Sequence, residues 1–431
     1  MKLRNVLAAG VALSAISAPA FAQEGAPAAD GDPVLGDNVI IVTAVAQGQN
    51  RLESSVSVSA LDAESIADLN PSSSADLIRQ IPGIRSEASG GEGNANIAVR
   101  GIPVSTGGAR YIQLQEDGLP VLEFGDIVFG NADNFVRADR NVGRVEAVRG
   151  GSASTFASNS PGGVINFISK TGLEEGGAVA GTIGIDHETY RLDFDYGGAL
   201  DATSYFHVGG FYRTGEGVRD TGFNGKEGGQ IKANLTTEFD GGYIRVHGKY
   251  LDDSTPTILP QPVAVTGTDS DPDYTAIANF DPRTASLYSR YIPAARTLDG
   301  DNNPTTYDIH DGLSVKSAAF GVEAEVEFAP GWTLTNRFRY ADNSGSFVSP
   351  FPASVGDAQA IADGIGGAGS SIVLASGPDA GQAVANPATL GGNGLLTNVV
   401  LFNVRLNDLD YLVNDLRVAK DFDVGSGSAT F

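Results

Sequence analysis

VEAVRGGSASTFASNSPGGVINFISK, residues Val145 to Lys170, joins two β-rich runs through a connection rich in glycine and serine. The pairs Gly150-Gly151 and Gly162-Gly163 permit backbone turns that other residues would not. The connection lacks the Gly-Lys-Ser/Thr ending and the following helix of a phosphate-binding loop. The stretch therefore predicts compact β structure without a nucleotide site.

Three shorter motifs precede this stretch and have signals of their own. Pro82-Gly83 stops a short helix that is capped among Ser72 to Ser74, and Asp117-Gly118 between alternating apolar residues is a strong hairpin signal. A strand over Val56 to Leu61 and a first short helix come before them. Together the signals predict a small mixed α+β domain from about Asp37 to Gly172. The motifs are SADLIRQIPGI (Ser74–Ile84), NIAVRGIP (Asn96–Pro103) and LQEDGLPV (Leu114–Val121).

The four motifs, in this order and at these spacings, resemble the plug domain of TonB-dependent outer-membrane receptors. The resemblance implies an active importer, in a Gram-negative bacterium, whose plug fills an antiparallel transmembrane barrel of about 22 strands. The plug-motif residues that match are Arg100, Gly101, Asp117, Gly118, Glu146, Arg149, Gly150, Gly162, Gly163 and Asn166.

Charged residues within the predicted plug strands should find partners, because a domain enclosed by a barrel cannot leave them buried alone. Arg100, Glu146 and Arg149 are in this position. By resemblance, Arg100 and Arg149 match arginines that tie the plug to acids of the barrel wall. The alternative is that they only neutralise a wet interface.

Five consecutive β-branched residues, Val39 to Thr43, form a strand-prone run whose flanks offer no neighbouring strand. Residues 23–36 before it are rich in Ala, Gly, Pro and Asp and are expected to be a flexible leash. Such a strand can be donated to the edge of another protein's sheet. The alternative is that it pairs with Val56 to Ser59 inside the plug.

By resemblance, this run lies at the TonB box, within a box-and-linker segment 37–50. The implied partner is the periplasmic domain of TonB with its ExbB/ExbD energising complex. The TonB-binding residues would be Asp37, Asn38, Val39, Ile40, Ile41, Val42, Thr43 and Ala44.

The first 22 residues predict a signal peptide, with Lys2 and Arg4, an apolar stretch, and Ala20-Phe21-Ala22 before the cleavage site. There are no cysteines in 431 residues, so disulfides and thiolate metal sites are not available. The net charge of −24 argues against a nucleic-acid partner. The 56 glycines and 20 prolines suit a turn-rich β protein.

Beyond Gly172 the sequence alternates with a period of two, as in RLDFDY, where Leu192, Phe194 and Tyr196 share one face. Segments of about ten residues or more, joined alternately by short and long connections, are typical of an outer-membrane barrel in contact with lipid. The long connections are predicted at Thr214–Lys226, Asp253–Gly312 and Ser346 to about Leu395. An aromatic girdle is predicted at Tyr190, Tyr212, Phe239, Tyr243, Phe328, Trp332 and Tyr340.

About nine strands are predicted over residues 176–431, too few to close a barrel around the plug. We therefore expect the N-terminal part of a longer receptor, with the domains 1–22, 23–36, 37–50, 51–172 and 176–431. A soluble sandwich would show the same alternation but not such long loops.

The predicted function is uptake of a scarce external small molecule, in the family most commonly a ferric siderophore, with cobalamin, haem or saccharide as alternatives. The ligand is expected to bind between the long loops and the plug, at Tyr111–Gln115 or at residues 119–126. No permanently bound cofactor and no metal site is predicted, because the four histidines are scattered. An enzyme is not predicted, and a passive porin would need neither a plug nor a partner-binding strand.

Overall fold

The computed structural model describes residues 40–41, 43, 49–50, 57–88, 90–103, 108–127, 129–150, 157–424 and 427–431. The predicted signal peptide, the leash and residues 37–39, 42 and 44 of the TonB box lie outside the described residues. No helix among the described residues is long and apolar enough to cross a membrane.

The N-terminal part, called the plug below, is a small mixed α+β domain. Helix α2 (Ser74–Ile78) begins after Ser73, whose hydroxyl accepts from the Asp76 amide, and it ends before Pro82-Gly83, as predicted. The elements are β1 (Ile40–Ile41), β2 (Gln49–Asn50), β3 (Ser57–Asp62), α1 (Ala63–Leu69), α2 (Ser74–Ile78), β4 (Ile84–Glu87), β5 (Asn96–Val99), β6 (Ile112–Glu116), β7 (Leu119–Pro120), β8 (Asp126–Ile127), β9 (Gly130–Asn131), a 3₁₀ helix (Ala132–Phe135), β10 (Val142–Arg149) and β11 (Gly163–Ser169).

The main plug sheet has the strand order β3-β10-β11-β6-β7. The motif stretch Val145–Lys170 supplies its centre, with Glu146 opposite Asn166 in the antiparallel β10–β11 pair. The predicted Asp117-Gly118 hairpin joins β6 to β7, and both turn residues have positive φ. The plug core is built from apolar side chains of these strands and of α2, among them Leu77, Val145 and Ile165, each at most 1% exposed.

The C-terminal part, called the wall below, is one antiparallel sheet whose neighbouring strands follow one another in chain order, apart from two small hairpins that lie outside it. The long strand β22 (Trp332–Asp357) pairs with β23 (Leu395–Leu406) along one part of its length and with β24 (Tyr411–Val424) along another, so that β23 and β24 occupy one strand position. The described residues of the wall thus form nine strand positions, the number that the sequence predicts. The strands are β12 (Gly176–Ile183), β13 (Thr189–Ala199), β14 (Ser204–Gly215), β15 (Lys226–Phe239), β16 (Gly242–Thr255), β21 (Leu313–Ala329), β22 (Trp332–Asp357), β23 (Leu395–Leu406), β24 (Tyr411–Val424) and β25 (Gly427–Thr430).

The wall turns its apolar face outward and its charged face toward the plug. In β13, Leu192, Phe194 and Tyr196 are 37–49% exposed, whereas Asp193 and Asp195 are each 6% exposed. A soluble sandwich would bury the apolar face, so the observed direction is that of barrel strands. Six of the seven predicted girdle aromatics are at least 40% exposed. The prediction for the seventh, Tyr243, was wrong, because its hydroxyl donates to Glu323 at 2.9 Å on the inner face.

Short and long connections alternate along the wall. Residues 200–203, 240–241 and 330–331 form tight turns at one end, and residues 216–225, 256–312 and 358–394 form long connections at the other. The long connections contain the hairpins β17–β18 (Ala264–Thr268 and Asp271–Thr275) and β19–β20 (Ala294–Leu298 and Pro304–Asp308), a 3₁₀ helix (Ile309–Asp311), α3 (Ala358–Gly366) and a second 3₁₀ segment (Pro387–Gly392).

The prediction of a loop from Ser346 was wrong. β22 continues through Pro350 and Pro352 to Asp357 because β23 pairs with its C-terminal half, from Gly345 to Asp357.

Candidate functional site

The predicted partner-binding strand lies in a small hairpin of its own. Ile40 pairs with Asn50 and Ile41 with Gln49 in antiparallel register. The expectation that its flanks offer no strand was therefore wrong, since backbone pairing needs no β-branched residues. The alternative pairing with Val56 to Ser59 was also wrong, because β3 (Ser57–Asp62) pairs with β10 instead.

Thr43 fastens this hairpin to the plug. Its side chain is only 2% exposed, and its backbone N–H donates to Glu146 Oε2 at 2.9 Å. Its hydroxyl donates to the same oxygen at 2.5 Å. Glu146, in the middle of β10, is 0% exposed and also lies 2.8 Å from Nε of Arg144. Hydrogen bonds to a charged acceptor are stronger than neutral ones, so these contacts compensate for burial of the carboxylate.

Asn166 joins Thr43 to the plug hairpin. Its Nδ2 donates to the Thr43 hydroxyl and its Oδ1 accepts from the Gly118 amide, both at 3.0 Å. The turn is also held by Asp117, whose carboxylate accepts from the amide and the hydroxyl of Ser169. Burial by itself raises the pKa of Asp117, but nearby cations, Lys232 first, lower it below its ordinary value.

The same hairpin is clamped by cations of the wall. Glu116 Oε2 lies 2.6 Å from Lys249 Nζ, and Oε1 lies 2.9 Å from Lys232 Nζ. Arg339 donates to the backbone oxygen of Glu116 at 3.3 Å. Burial raises the pKa of Glu116, but the three cations outweigh it and hold the pKa well below its usual range. The plug and the wall are thus joined by a buried charge network.

A second network lies nearer the long connections. Arg137 of the plug reaches Asp253 at 2.7 Å, and Arg213 of the wall reaches the same carboxylate at 2.6 Å. Arg213 also pairs with Glu92 of the plug, and Lys226 lies 2.7 Å from that glutamate. Burial raises the pKa of Glu92, but the charges of Arg213 and Lys226 lower it further than burial raises it.

A third contact involves the first wall strands. Arg140 and Lys170 of the plug lie 2.7 Å and 2.8 Å from the two oxygens of Asp195. These ion pairs have both polarities, with plug acids on wall bases and plug bases on wall acids. They fix the plug against this part of the wall.

The two motif arginines lie side by side away from these networks. Arg149 donates to Ser57 Oγ at 3.0 Å and to the carbonyl of Pro82. Burial and the adjacent charge of Arg100 lower the pKa of Arg149. Within the described residues neither arginine pairs with a wall acid, so the tie implied by the resemblance stays a prediction.

The motif glycines serve the backbone. At Gly163, with φ +148°, a Cβ would lie 2.2 Å from the carbonyl oxygen of Val148, and at Gly162 it would lie 2.8 Å from that of Tyr111. Gly150 has φ +111°. Gly101 has open space around it.

The segment after β7 lies toward the long connections. Phe129 stacks on Phe347 in the upper half of β22, with ring centroids 4.4 Å apart and an interplanar angle of 3°. Phe124 and Ile127 nearby are 51% and 43% exposed. Two segments were predicted to face an external ligand. One of them, residues 119–126, leads along the chain to Phe129, which lies at the end of the plug nearest the long connections.

The family model for the TonB-dependent Receptor Plug Domain matches residues 50–164, which include β3 to β10 and the glycine-rich connection. This chain carries the plug of a TonB-dependent receptor. Solved receptors have the same fold over plug and wall together. FpvA of P. aeruginosa covers 90% of the chain with a TM-score of 0.57 at 14% identity, and the match is 43% of that structure.

A second solved structure has the same fold, and two curated proteins are similar to the chain in sequence. The import receptor Fiu from E. coli covers 86% of the chain with a TM-score of 0.56 at 14% identity, over 47% of its own length. The ferric enterobactin receptor PirA of Pseudomonas aeruginosa is 26% identical over 51% of the chain and 34% of its own length. The vitamin B12 transporter BtuB of Photobacterium profundum is 29% identical over 33% of the chain and 22% of its own length. The chain spans about a third of the length of the ferric enterobactin receptors it matches.

The sequence motifs included Glu146 and Asn166 but gave no indication of the ion pairs between the plug and the wall. The signal that could have indicated the wall residues is the alternation itself, since Asp195, Lys232 and Lys249 alternate with apolar residues in their strands. Nothing comparable distinguishes Glu92 or Arg137 in the sequence. Their partners depend on how the plug sits against the wall.

Proposed function

We propose that this protein is a TonB-dependent receptor in the outer membrane of a Gram-negative bacterium. It binds a ferric siderophore outside the cell and imports it into the periplasm. The proposal rests on one arrangement of three parts. A β-strand segment that a partner could capture is hydrogen-bonded to the plug through Thr43. The plug is in turn ion-paired to a wall whose outer face is apolar.

The apolar outer face supports placement in lipid. Aliphatic and aromatic side chains alternate outward along several neighbouring strands, and exposing them to water would be unfavourable. The short turns then face the periplasm and the long connections face outside, as in outer-membrane barrels. This orientation puts the Phe129 region of the plug toward the external ligand.

The proposed energy source is TonB with ExbB/ExbD. The segment 37–44 supplies a strand for pairing with TonB, since an extended segment can add to the edge of a partner's sheet. Ligand binding favours the released segment by a shift in population, and TonB then pulls on the plug. The plug yields along its polar contacts with the wall.

The siderophore is supported by relatives whose names refer to ferric enterobactin, at 26% identity. A second candidate is cobalamin, supported by the 29% identity with a vitamin B12 transporter over 150 residues. Both ligands are too large for passive diffusion, so the proposed gating is the same for either.

The test is uptake by cells that carry the receptor as their sole high-affinity importer. We would supply ⁵⁵Fe-loaded catecholate and hydroxamate siderophores, and ⁵⁷Co-cobalamin, to cells with and without TonB. Accumulation of an iron chelate that needs TonB, and that is lost in Ile41→Pro but kept in Ile41→Val, supports the proposal. Uptake of cobalamin alone would make cobalamin the substrate in place of the siderophore. Uptake in cells without TonB would overturn the proposed mechanism.

A further inference from the structure

A concave cleft lies on the outer face of the wall, at the end where the long connections begin. Its volume is about 730 Å³, within the range of roughly 300–1,000 Å³ that is typical of small-molecule sites. Gly228 and Gly229 lie in its floor and leave part of that floor without side chains. Each of β13 to β16 contributes one exposed aliphatic or aromatic side chain to the lining: Phe194, Tyr212, Ile231 and Tyr250. We call this feature the outer cleft.

Two long connections overhang the outer cleft. Residues 224–225 belong to the first connection, and Asp308, His310 and Asp311 belong to the second. The His310 ring stacks on Phe223, with ring centroids 3.7 Å apart and an interplanar angle of 20°. The outer cleft therefore has a floor from the wall and a roof from two connections that contact each other.

The rim of the outer cleft is rich in hydrogen-bond acceptors. Four carboxylates lie there, and the described lining includes no lysine or arginine: Glu227, Asp252, Asp308 and Asp311. Lys316 and Arg405 pair from outside with two of the four, Asp252 and Asp311, each at 3.1 Å. Neither Glu227 nor Asp308 has a salt-bridge partner among the described residues. The rim therefore suits a headgroup that carries hydrogen-bond donors, and it repels an anionic phosphate.

We propose that the outer cleft binds one glycolipid of the outer leaflet. An acyl chain lies on the apolar floor, where its burial stabilises the complex, and the sugar hydroxyls donate to Glu227 and Asp308. The inference rests on the proposed function only through the placement of the wall in the outer membrane. In that placement the long connections face outside, so the rim lies at the level of the outer headgroups and the floor lies at the level of the acyl chains.

Photo-crosslinking from the acyl chain tests the position of the lipid. The whole receptor is embedded in phosphatidylcholine vesicles that contain a glucosyl diacylglycerol with a diazirine on one acyl chain, and mass spectrometry identifies the labelled peptides. Peptides with Ile231 or Tyr250 should be labelled about tenfold more than the outward-facing β24 peptide with Leu412 and Leu416. The same diazirine chain with a phosphocholine headgroup should label the outer cleft about tenfold less, the factor expected for one hydrogen bond to a charged acceptor.

One pair of variants tests the floor. Ile231→Trp fills the outer cleft, whereas Leu235→Trp adds the same side chain at another outward-facing position of β15 that does not line it. We expect Ile231→Trp to lose the excess labelling and Leu235→Trp to keep it. Heat-modifiable mobility in gels shows that each variant keeps its barrel. Uptake that requires TonB should be the same in both variants and the parent.

A second pair tests the rim. Glu227→Gln with Asp308→Asn removes two charges of the outer cleft, and it should abolish the preference for the glucosyl headgroup over phosphocholine. Glu238→Gln with Asp342→Asn removes the same two charges at exposed wall positions outside the outer cleft and should keep the preference. A preference that survives in the rim variant would contradict recognition by these carboxylates.

The remaining outcomes separate this inference from the proposed function. Even labelling along the outer face, with normal TonB-dependent uptake, would overturn the outer cleft as a lipid site and leave the proposed function intact. Equal labelling of the outer cleft by the glucosyl and phosphocholine probes would overturn the assignment to a glycolipid. If no outward-facing wall peptide were labelled by either probe, the placement in lipid would fail, and the inference would fail with it.

Discussion

The Glu116 carboxylate of the plug lies 2.6 Å from the Lys249 ammonium of the wall, and each side chain is at most 9% exposed. Lys232 lies 2.9 Å from the other carboxylate oxygen. A charge that loses its partner in such a place is left buried and uncompensated, which costs far more than breaking a surface pair. Any movement of the plug hairpin must therefore exchange these contacts for others or for water.

Removing both lysines should loosen the plug. Lys232→Met with Lys249→Met leaves Glu116 buried without these two cations, and we expect a loss of about 3–5 kcal/mol in the free energy of plug unfolding. The urea dependence of protease cleavage within the plug measures it. Lys316→Met is the matched control, because Lys316 is 61% exposed in its pair with Asp252 and should matter by less than about 1 kcal/mol. A double variant as stable as this control would contradict the proposed stabilisation of the plug by Lys232 and Lys249.

The Glu116 clamp should be insensitive to mild acid. Its pKa is lowered in the folded state from an ordinary value of 4.5, so its stabilising contribution is present above pH 4.5 and is lost as pH falls through the lower folded pKa. The parent should exceed Glu116→Gln in unfolding free energy by a constant amount from pH 8 to about 5. The difference should shrink only at lower pH. A difference that fades between pH 7 and 5 would contradict the assignment.

The buried carboxyl of Asp133 should make plug stability depend on pH with the opposite sign to that of Glu116. It is buried in the 3₁₀ helix of the plug, its Oδ2 accepts from the Ala95 amide at 2.7 Å, and its Oδ1 has no hydrogen-bond partner among the described residues. Burial raises its pKa to about 7, more than the Ala95 amide and Arg137 lower it. The folded state therefore binds the proton more tightly than the unfolded chain, and plug stability falls as pH rises from about 4 to about 7.

Asp133→Asn removes this titration. We expect the variant to exceed the parent at pH 8, by up to about 4 kcal/mol in unfolding free energy, and to match it near pH 4. Asp68→Asn, at an exposed aspartate of α1, controls for loss of charge alone. Equal pH profiles for the parent and Asp133→Asn would show that the carboxyl is not held in this way.

The motif glycines should differ in their tolerance of alanine. Gly163→Ala brings a Cβ to 2.2 Å from the Val148 carbonyl oxygen and should cost about 3 kcal/mol or more in plug stability, with loss of pairing between β10 and β11. Gly101→Ala meets nothing within 4 Å and should be nearly neutral. Cleavage by protease in urea compares the two. Similar losses in both would mean that the glycines are required for another reason.

Local chemistry explains which parts of the fold the sequence predicted. Asp117-Gly118 requires positive φ at both residues, so its hairpin could be read directly. Alternation with a period of two separated the apolar outer face of the wall, with Leu192, from its polar inner face, with Asp193. Gln49–Asn50 was missed because a strand partner supplies backbone groups whatever its side chains are. Pro350 and Pro352 argue against a strand, yet β22 passes through both.

The site depended on contacts distant in the sequence. Glu146 and Thr43 are 103 positions apart, and Lys249 and Glu116 are 133 apart. The sequence indicated that a glutamate inside a plug strand needs a partner, but several polar groups could have satisfied it. Only the packing of the N-terminal segment on the sheet identifies Thr43.

Disulfide capture between the N-terminal segment and TonB tests directly whether ligand binding releases the segment to its partner. The chain has no cysteines, so Ile41→Cys gives a single thiol that can be paired with a single-cysteine TonB in living cells. We expect a receptor–TonB cross-link that increases when the transported ligand is added and is already present without ligand in Thr43→Val. Cross-linking that never forms, or that is equal with and without ligand in the parent, would contradict a segment held on the plug and released for capture.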